Sequence, residues 1–273
     1  MAAWNKSSRR ILIALAVSYF FLCACGYALQ RKLLYFPAQI PADAVVQAAS
    51  EHGFIPWKNN SGQIIGWKIP ARSVATGSIL IVHGNAGCAI DRDYLAQPVH
   101  EAADVDVFVL EYPGYGARAG SPSKTSMVAA AEEAFQTLPD SLPRYVVSES
   151  IGTGVACELA KKHPREIAGL ALLVPYHNLA SVAQRHMWFL PAYLLLLDRF
   201  NPEECLQSYH GSVKFVVAGA DEIIGPESGL RLANSYHGPK ELQVVAGAHH
   251  NDISAQPPGW WREVFSFWRQ NKK

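Results

Sequence analysis

The sequence predicts an α/β domain with a mostly parallel central sheet and helices on both of its faces. Short aliphatic and β-branched runs recur along the chain with helical stretches between them, the alternation that βαβ units produce. The residues able to do chemistry fall in loops just after several of those runs, where functional groups gather in such sheets. With 273 residues, 49% of them hydrophobic, the chain can fill one core. The expected organisation is one folded domain over 41–273 and an appendage over 1–40.

Ile11 to Leu29 is almost free of charge, preceded by Lys6, Arg9 and Arg10 and followed by Arg31 and Lys32. Its length just spans a bilayer as helix. A segment apolar on every face does not suit a layered α/β core, so a single-pass membrane anchor is expected. The three early basic residues and the amino terminus outweigh the two that follow, which places the folded domain on the export side. A cleaved signal peptide fits the same proportions. Leu22-Cys23-Ala24-Cys25-Gly26 also resembles a bacterial lipobox, which implies the alternative of a lipoprotein anchored at Cys25. Leu33-Leu34-Tyr35-Phe36-Pro37 is expected to leave the bilayer as an aromatic interfacial stretch.

Gly53 to Lys58 and Ile64 to Ile69 read as a hairpin, and Ser78 to Val82 as a fully buried strand. Further buried strands are expected at Val105 to Leu110, Arg144 to Val147, Gly169 to Val174, Val213 to Ala218 and Glu241 to Val245. Helices are expected at Ser126 to Leu138, Ile151 to His163 and Glu227 to His237. The stretch 177–209 breaks this rhythm with the apolar run Trp188 to Leu197, too short for a second span. It is expected to be a cap-like insertion, part facing substrate and part packing.

Ser148-Glu149-Ser150-Ile151-Gly152 follows the Arg144 strand and opens a helix. A sharp strand-to-helix turn needs small neighbours and leaves its middle side chain exposed beside backbone N–H groups, so Ser150 is the candidate nucleophile. An alkyl hydroxyl does not ionise at neutral pH and needs a base. Gly219-Ala220-Asp221 follows one later strand and Gly247-Ala248-His249-His250 the next, supplying an acid and a choice of two imidazoles. A carboxylate can orient such a histidine and stabilise its imidazolium. The glycine-rich turn His83-Gly84-Asn85-Ala86-Gly87 can aim main-chain donors at a developing oxyanion. The candidate donors are the N–H of Ile151 and that of Asn85 or Ala86. Tyr115, in the Glu111 to Gly116 turn, is a candidate for the pocket wall.

Lys and Arg total 24 against 23 Asp and Glu, a formal charge of +1, so no global field attracts nucleic acid. The remaining histidines lack metal-ligand spacing, and no glycine-rich segment ends in the Lys-Ser/Thr of a phosphate-binding loop. Neither metal nor cofactor is implied. Cys88, Cys157 and Cys205 lack Cys-x-x-Cys spacing and read as buried free thiols.

These motifs together resemble the α/β-hydrolases, in the membrane-anchored group that includes Bem46-like and serine aminopeptidase-like proteins. The carriers are His83-Gly84-Asn85, Glu111-Tyr112-Pro113-Gly114-Tyr115-Gly116, Glu149-Ser150-Ile151-Gly152-Thr153-Gly154, Asp221-Glu222-Ile223-Ile224 and His250-Asn251-Asp252. The chain departs from the pattern at Ser148, where the elbow usually has glycine, and at His249, where related sequences often have glycine. The resemblance implies a triad of Ser150, Asp221 and His250, with His250 preferred to His249 because His250-Asn251-Asp252 matches the family ending. The implied activity is hydrolysis of a carboxylic ester or thioester, with an amide as alternative. The expected partners are a small acyl or lipid-like substrate and the membrane. A non-catalytic scaffold that binds a partner is the reading from another class.

Overall fold

The computed structural model describes residues 6–271; the amino terminus counted among the early charges and the last two residues of 41–273 lie outside them. The chain begins with a helix, α1 (Lys6–Leu34), followed by a two-residue strand β1 (Phe36–Pro37) and a short helix α2 (Val45–Glu51). The hairpin β2 (Ile55–Lys58) and β3 (Ile64–Ile69) leads into β4 (Ser78–Val82), β5 (Ala86–Gly87) and α3 (Asp93–Ala102). Next come β6 (Asp106–Leu110), α4 (Lys124–Gln136), β7 (Arg144–Glu149), α5 (Gly152–Lys162) and β8 (Ile167–Leu173). Three short helices, α6 (Leu179–His186), α7 (Ala192–Leu195) and α8 (Pro202–Cys205), form the insertion. The chain closes with β9 (Ser212–Ala218), α9 (Pro226–Ser235), β10 (Lys240–Val245) and α10 (Pro258–Gln270).

Eight strands form one sheet in the order β10-β9-β8-β7-β4-β6-β3-β2. β3 runs antiparallel to both of its neighbours and the remaining pairings are parallel. The inner strands β4, β6, β7, β8 and β9 are largely apolar because both faces are covered; β10 departs from the expectation of a buried strand at Glu241 to Val245, since it lies at the sheet edge and is mostly exposed. In β4, Leu80 and Val82 enter one core cluster and Ile79 and Ile81 the other. The same two-residue period divides Phe108 and Leu110 from Val107 and Val109 in β6. Residues of α4 and α5 fill the first cluster, while residues of α3 and α10 fill the second. Burying each such aliphatic side chain stabilises the fold by about 1.5–3 kcal/mol.

From β4 the chain moves outward to β6 and then returns across β4 to β7. The direction of winding therefore reverses between β4 and β7, and the crevice outside their carboxyl ends is where open α/β sheets bind ligands. The loop Gly84–Ala86 follows β4 and Ser150 follows β7, so both candidate segments stand at that reversal.

α1 is long and apolar enough to cross a membrane, and none of its residues is buried. The interfacial reading of 33–37 is corrected at Tyr35, which is 3% exposed and belongs to the core. β1 pairs in parallel with β5, Phe36 N–H donating to Asn85 O at 2.9 Å. The end of α1 is thereby fastened to the β4 loop.

Candidate active site

The turn after β7 holds Ser150 at φ +52°, in the left-handed region that side chains other than glycine rarely occupy. Such a residue costs about 1–3 kcal/mol and persists where its surroundings fix it. Here Ser150 N–H donates to Leu173 O at 3.0 Å, and Thr153 N–H donates to Ser150 O at 2.9 Å. Gly152 lets the start of α5 approach β4, since a Cβ there would lie 2.3 Å from Val82 O. Ser148 takes the usual glycine place without strain, because its φ is not positive. Its side chain is fully buried, and its Oγ donates to Ala171 O at 3.4 Å.

The loop after β9 places Asp221, 4% exposed, with Oδ1 accepting from the backbone N–H of Ile223 at 2.9 Å and of Ile224 at 2.8 Å. Burial alone would raise its pKa; hydrogen bonds from His250 and those two amides outweigh burial and hold the carboxyl below its ordinary value. The loop after β10 presents His250, whose Nδ1 lies 2.9 Å from Asp221 Oδ2 and whose Nε2 lies 3.0 Å from Ser150 Oγ. An ionised carboxylate only accepts, so Nδ1 carries the proton and Nε2 turns its lone pair to the serine. His249 faces elsewhere: its ring is 63% exposed and its Nδ1 meets Glu222 at 3.1 Å. The structure thus brings together Ser150, Asp221 and His250, and leaves His249 outside.

The loop after β4 borders the serine: a Cβ on Gly84 would stand 3.7 Å from Ser150 Cβ. Its carbonyls are engaged. His83 Nδ1–H donates to Gly84 O at 2.9 Å, Tyr115 O–H to Asn85 O at 2.7 Å, and the Arg92 guanidinium to Ala86 O. The Asn85 amide group donates to Leu34 O at 2.8 Å, so that side chain holds the loop to the end of α1. These bonds fix the peptide planes around Asn85 and Ala86. Ile151, the third predicted donor, sits beside Ser150 at the entrance to α5. Tyr115 does not line the pocket, contrary to expectation; it is fully buried and supports the loop from behind.

His83 and Glu111 lie behind this loop, both buried, with Nε2 3.9 Å from Oε1. Burial drives the imidazole well below its ordinary value and pushes the carboxyl up to about 7. Around neutral pH the imidazole is uncharged whether or not the carboxyl is ionised, so this is no ion pair there. Glu111 accepts from Ala89 N–H at 3.0 Å.

A group that sequence reasoning missed stands beside the nucleophile. Tyr94 O–H donates to Glu149 Oε2 at 2.6 Å, and Arg92 Nη1 lies 2.9 Å from the same phenol and 3.8 Å from Glu149 Oε1. Arg92 and Tyr94 sit outside the motifs, so no local pattern marks them. Arg92 and Glu149 line a cavity of about 530 Å³ that also holds Ser150 and His250 at its base. Its upper wall combines insertion residues such as Leu179, Leu190 and Leu196 with Gly26, Gln30, Leu33 and Leu34 of α1. Trp188 and Leu194 of the same segment neither line the cavity nor pack in the core but point outward, 79% and 77% exposed.

A family model for the alpha/beta hydrolase fold matches residues 77–201. Protein bem46 of Schizosaccharomyces pombe is 33% identical over 206 residues, covering 71% of this chain and 68% of that protein. A lysophosphatidylserine lipase of Xenopus tropicalis is 30% identical over 137 residues, 48% of this chain and 36% of the lipase. The solved structure of Est1E from Butyrivibrio proteoclasticus with ferulic acid bound superimposes with a TM-score of 0.63 at 14% identity, over 75% of this chain and 95% of that one. The fold, the elbow after β7 and the likeness along most of both chains agree: this chain belongs to the α/β-hydrolase family, among its Bem46-like members.

Proposed function

We propose that the chain is a membrane-tethered serine hydrolase that cleaves a carboxylic ester or thioester through an acyl-enzyme on Ser150. The observation that carries this reading is the unbroken hydrogen-bonded line from Ser150 Oγ through His250 to Asp221, at 3.0 and 2.9 Å. Both distances lie within the reach of proton transfer. In the first step His250 Nε2 takes the Ser150 proton as Oγ bonds to the acyl carbon, and Asp221 stabilises the imidazolium. The negative charge gathers on the former carbonyl oxygen, where the N–H of Ile151 and that of Asn85 or Ala86 are the candidate donors. Collapse expels the alcohol or thiol, which leaves with the proton from His250. Water then attacks the acyl carbon as it loses a proton to His250, the bond to Ser150 Oγ breaks as that oxygen takes the proton back from His250, and the acid departs.

A lipid-like acyl substrate is favoured by the apolar upper wall of the cavity and by the lipase among the relatives. α1 serves as the anchor, with Lys6, Arg9 and Arg10 cytoplasmic and the domain on the export side. The retained helix is preferred to a lipoprotein cut at Cys25, because cleavage there would remove Tyr19, whose O–H donates to Phe189 O at 3.1 Å.

Labelling the full chain with a fluorophosphonate tests the reading. Wild-type protein is expected to label and Ser150→Ala to remain unlabelled; an inert wild type would instead make the chain a binding scaffold. A panel of p-nitrophenyl esters, acyl thioesters and aminoacyl amides then ranks the substrates. Fastest turnover of short hydrophilic amides would overturn the ester reading.

A further inference from the structure

The wall of the cavity contributed by α1 is held in place by contacts along the helix. Gln30 donates to Leu195 O at 3.1 Å and accepts from Leu197 N–H at 2.7 Å. Arg31 Nε meets Asp198 Oδ2 at 2.9 Å, and Gly26 makes room for Leu190, whose Cδ1 would lie 3.1 Å from a Cβ there. With the Tyr19 bond to Phe189, these contacts extend from Tyr19 to Arg31, about 18 Å of helix at a rise of about 1.5 Å per residue. The insertion lies alongside a good part of the apolar span.

The segment Met187–Leu197 carries a second, independent sign. Loop backbone in water needs no side-chain partners, because solvent satisfies it. Here Gln184 Nε2 donates to Leu190 O at 2.8 Å and, more loosely, to Met187 O and Trp188 O at 3.3 and 3.4 Å. The same side chain accepts from Ala192 N–H at 2.9 Å. Arg199 donates to Leu194 O at 2.9 Å and to Leu196 O at 2.8 Å. Added to Tyr19 and Gln30, these donors satisfy most carbonyls of an irregular backbone from within the protein. At hydrocarbon depth, non-helical chain survives only on that condition. The same segment turns Trp188 and Leu194 outward, 79% and 77% exposed.

Charge places the boundary. Arg31, Lys32, Asp198 and Arg199 cluster where α1 meets the domain. From Arg31 back to Arg10 the helix runs about 30 Å, the thickness of the hydrocarbon core. Phe189 reaches back to Tyr19, which puts Trp188 on the α1 side of that cluster, and Leu194, whose carbonyl Arg199 holds, stands at its edge.

We infer that Met187–Leu197 is buried in the lipid leaflet beside α1, and that the cavity takes a single-chain amphiphile directly from that leaflet. Its acyl chain lies between α1 and the insertion, and its ester reaches Ser150. At about 530 Å³ the cavity falls in the lower half of the small-molecule range of roughly 300–1,000 Å³, which suits one chain rather than two. The inference rests on the anchor and hydrolase readings above.

The test uses the full chain reconstituted in phosphatidylcholine vesicles with brominated acyl chains. Trp188 emission is isolated as the difference between wild type and Trp188→Phe. Bromine is expected to quench that difference and aqueous iodide to leave it; iodide quenching without bromine quenching overturns the inference. A second arm compares wild type with Trp188→Glu/Leu194→Glu on a monoacyl ester carried in vesicles and on water-soluble p-nitrophenyl acetate. Placing charge at that depth is expected to lower kcat/KM for the vesicle substrate about tenfold or more while leaving the soluble ester unchanged. Equal losses on both substrates, or none on either, contradict entry from the leaflet. Failure of the underlying readings shows in other signals: a wild type that does not float with vesicles loses the anchor and with it this inference. A wild type that floats and is quenched by bromine, yet cleaves neither ester, loses the hydrolase reading and the substrate part of this inference, and keeps the burial of Met187–Leu197 in the leaflet.

Discussion

His250 Nε2 stands 3.0 Å from Ser150 Oγ, while the adjacent His249 turns its ring to Glu222 and solvent. Two neighbouring imidazoles on one loop therefore have opposite surroundings. His250→Ala is expected to lower kcat on a p-nitrophenyl ester by about 10⁴-fold or more, the scale on which triad groups act. His249→Ala should change it less than about threefold, as exposed loop substitutions away from the chemistry do. Steady-state kinetics of the two variants decides between them, and the reverse pattern would move the base to His249.

Asp221→Asn keeps an oxygen for the Ile223 and Ile224 amides but can present an NH₂ group to His250 Nδ1. The imidazole then turns its proton toward Ser150, so kcat is expected to fall by about 10³–10⁴-fold with KM little changed. The same carboxyl is held below its ordinary value of 3.8 in the folded protein. Its contribution to stability is therefore fully present above that value and is lost as pH falls through the lower folded value. Thermal unfolding of wild type and variant should converge in acid below that range.

Ser148→Gly tests whether the departure in the elbow has a functional cost. Position 148 lies in the strand with no positive φ, and its hydroxyl bonds the neighbouring Ala171 carbonyl. Restoring glycine should leave kcat within about threefold and lower stability by about 1 kcal/mol, from one weak hydrogen bond and the greater freedom of unfolded glycine. Chemical denaturation beside an activity assay reads both. A large gain in kcat would show that Ser148 impairs the elbow.

Glu111 gives a pH signature of opposite sign. Its carboxyl moves from 4.5 to about 7 on burial, so between those values the folded chain keeps a proton that the unfolded chain has released. Stability contributed by this group therefore falls as pH rises through that window and is level above it. Glu111→Gln should remove the slope, widening the stability gap in its own favour by about 3 kcal/mol from the acid to the alkaline side of the window. A gap independent of pH would show that Glu111 does not titrate there.

The inner sheet was legible because its strands carry apolar runs: Ser78 to Val82 matches β4 residue for residue. Strand order then put Ser150, Asp221 and His250 on loops at one end of the sheet, each within a motif that the sequence shows. α10 follows the last strand and so falls outside the alternation, although Trp261, Val264, Phe265 and Trp268 repeat at helical spacing and are all buried. The bond from Tyr19 to Phe189 joins residues 170 apart, and Arg92 meets Glu149 across 57 positions, so neither leaves a trace in local pattern. Only folding reveals that α1 forms a wall of the site.

The acyl-enzyme on Ser150 is measured most directly by mass spectrometry of the full chain, acid-quenched during turnover of a p-nitrophenyl ester. A mass increase of one acyl group is expected on the peptide that contains Ser150, absent from Ser150→Ala. Continued turnover with no adduct on that peptide, or an adduct on another residue whose substitution ends turnover, would contradict it.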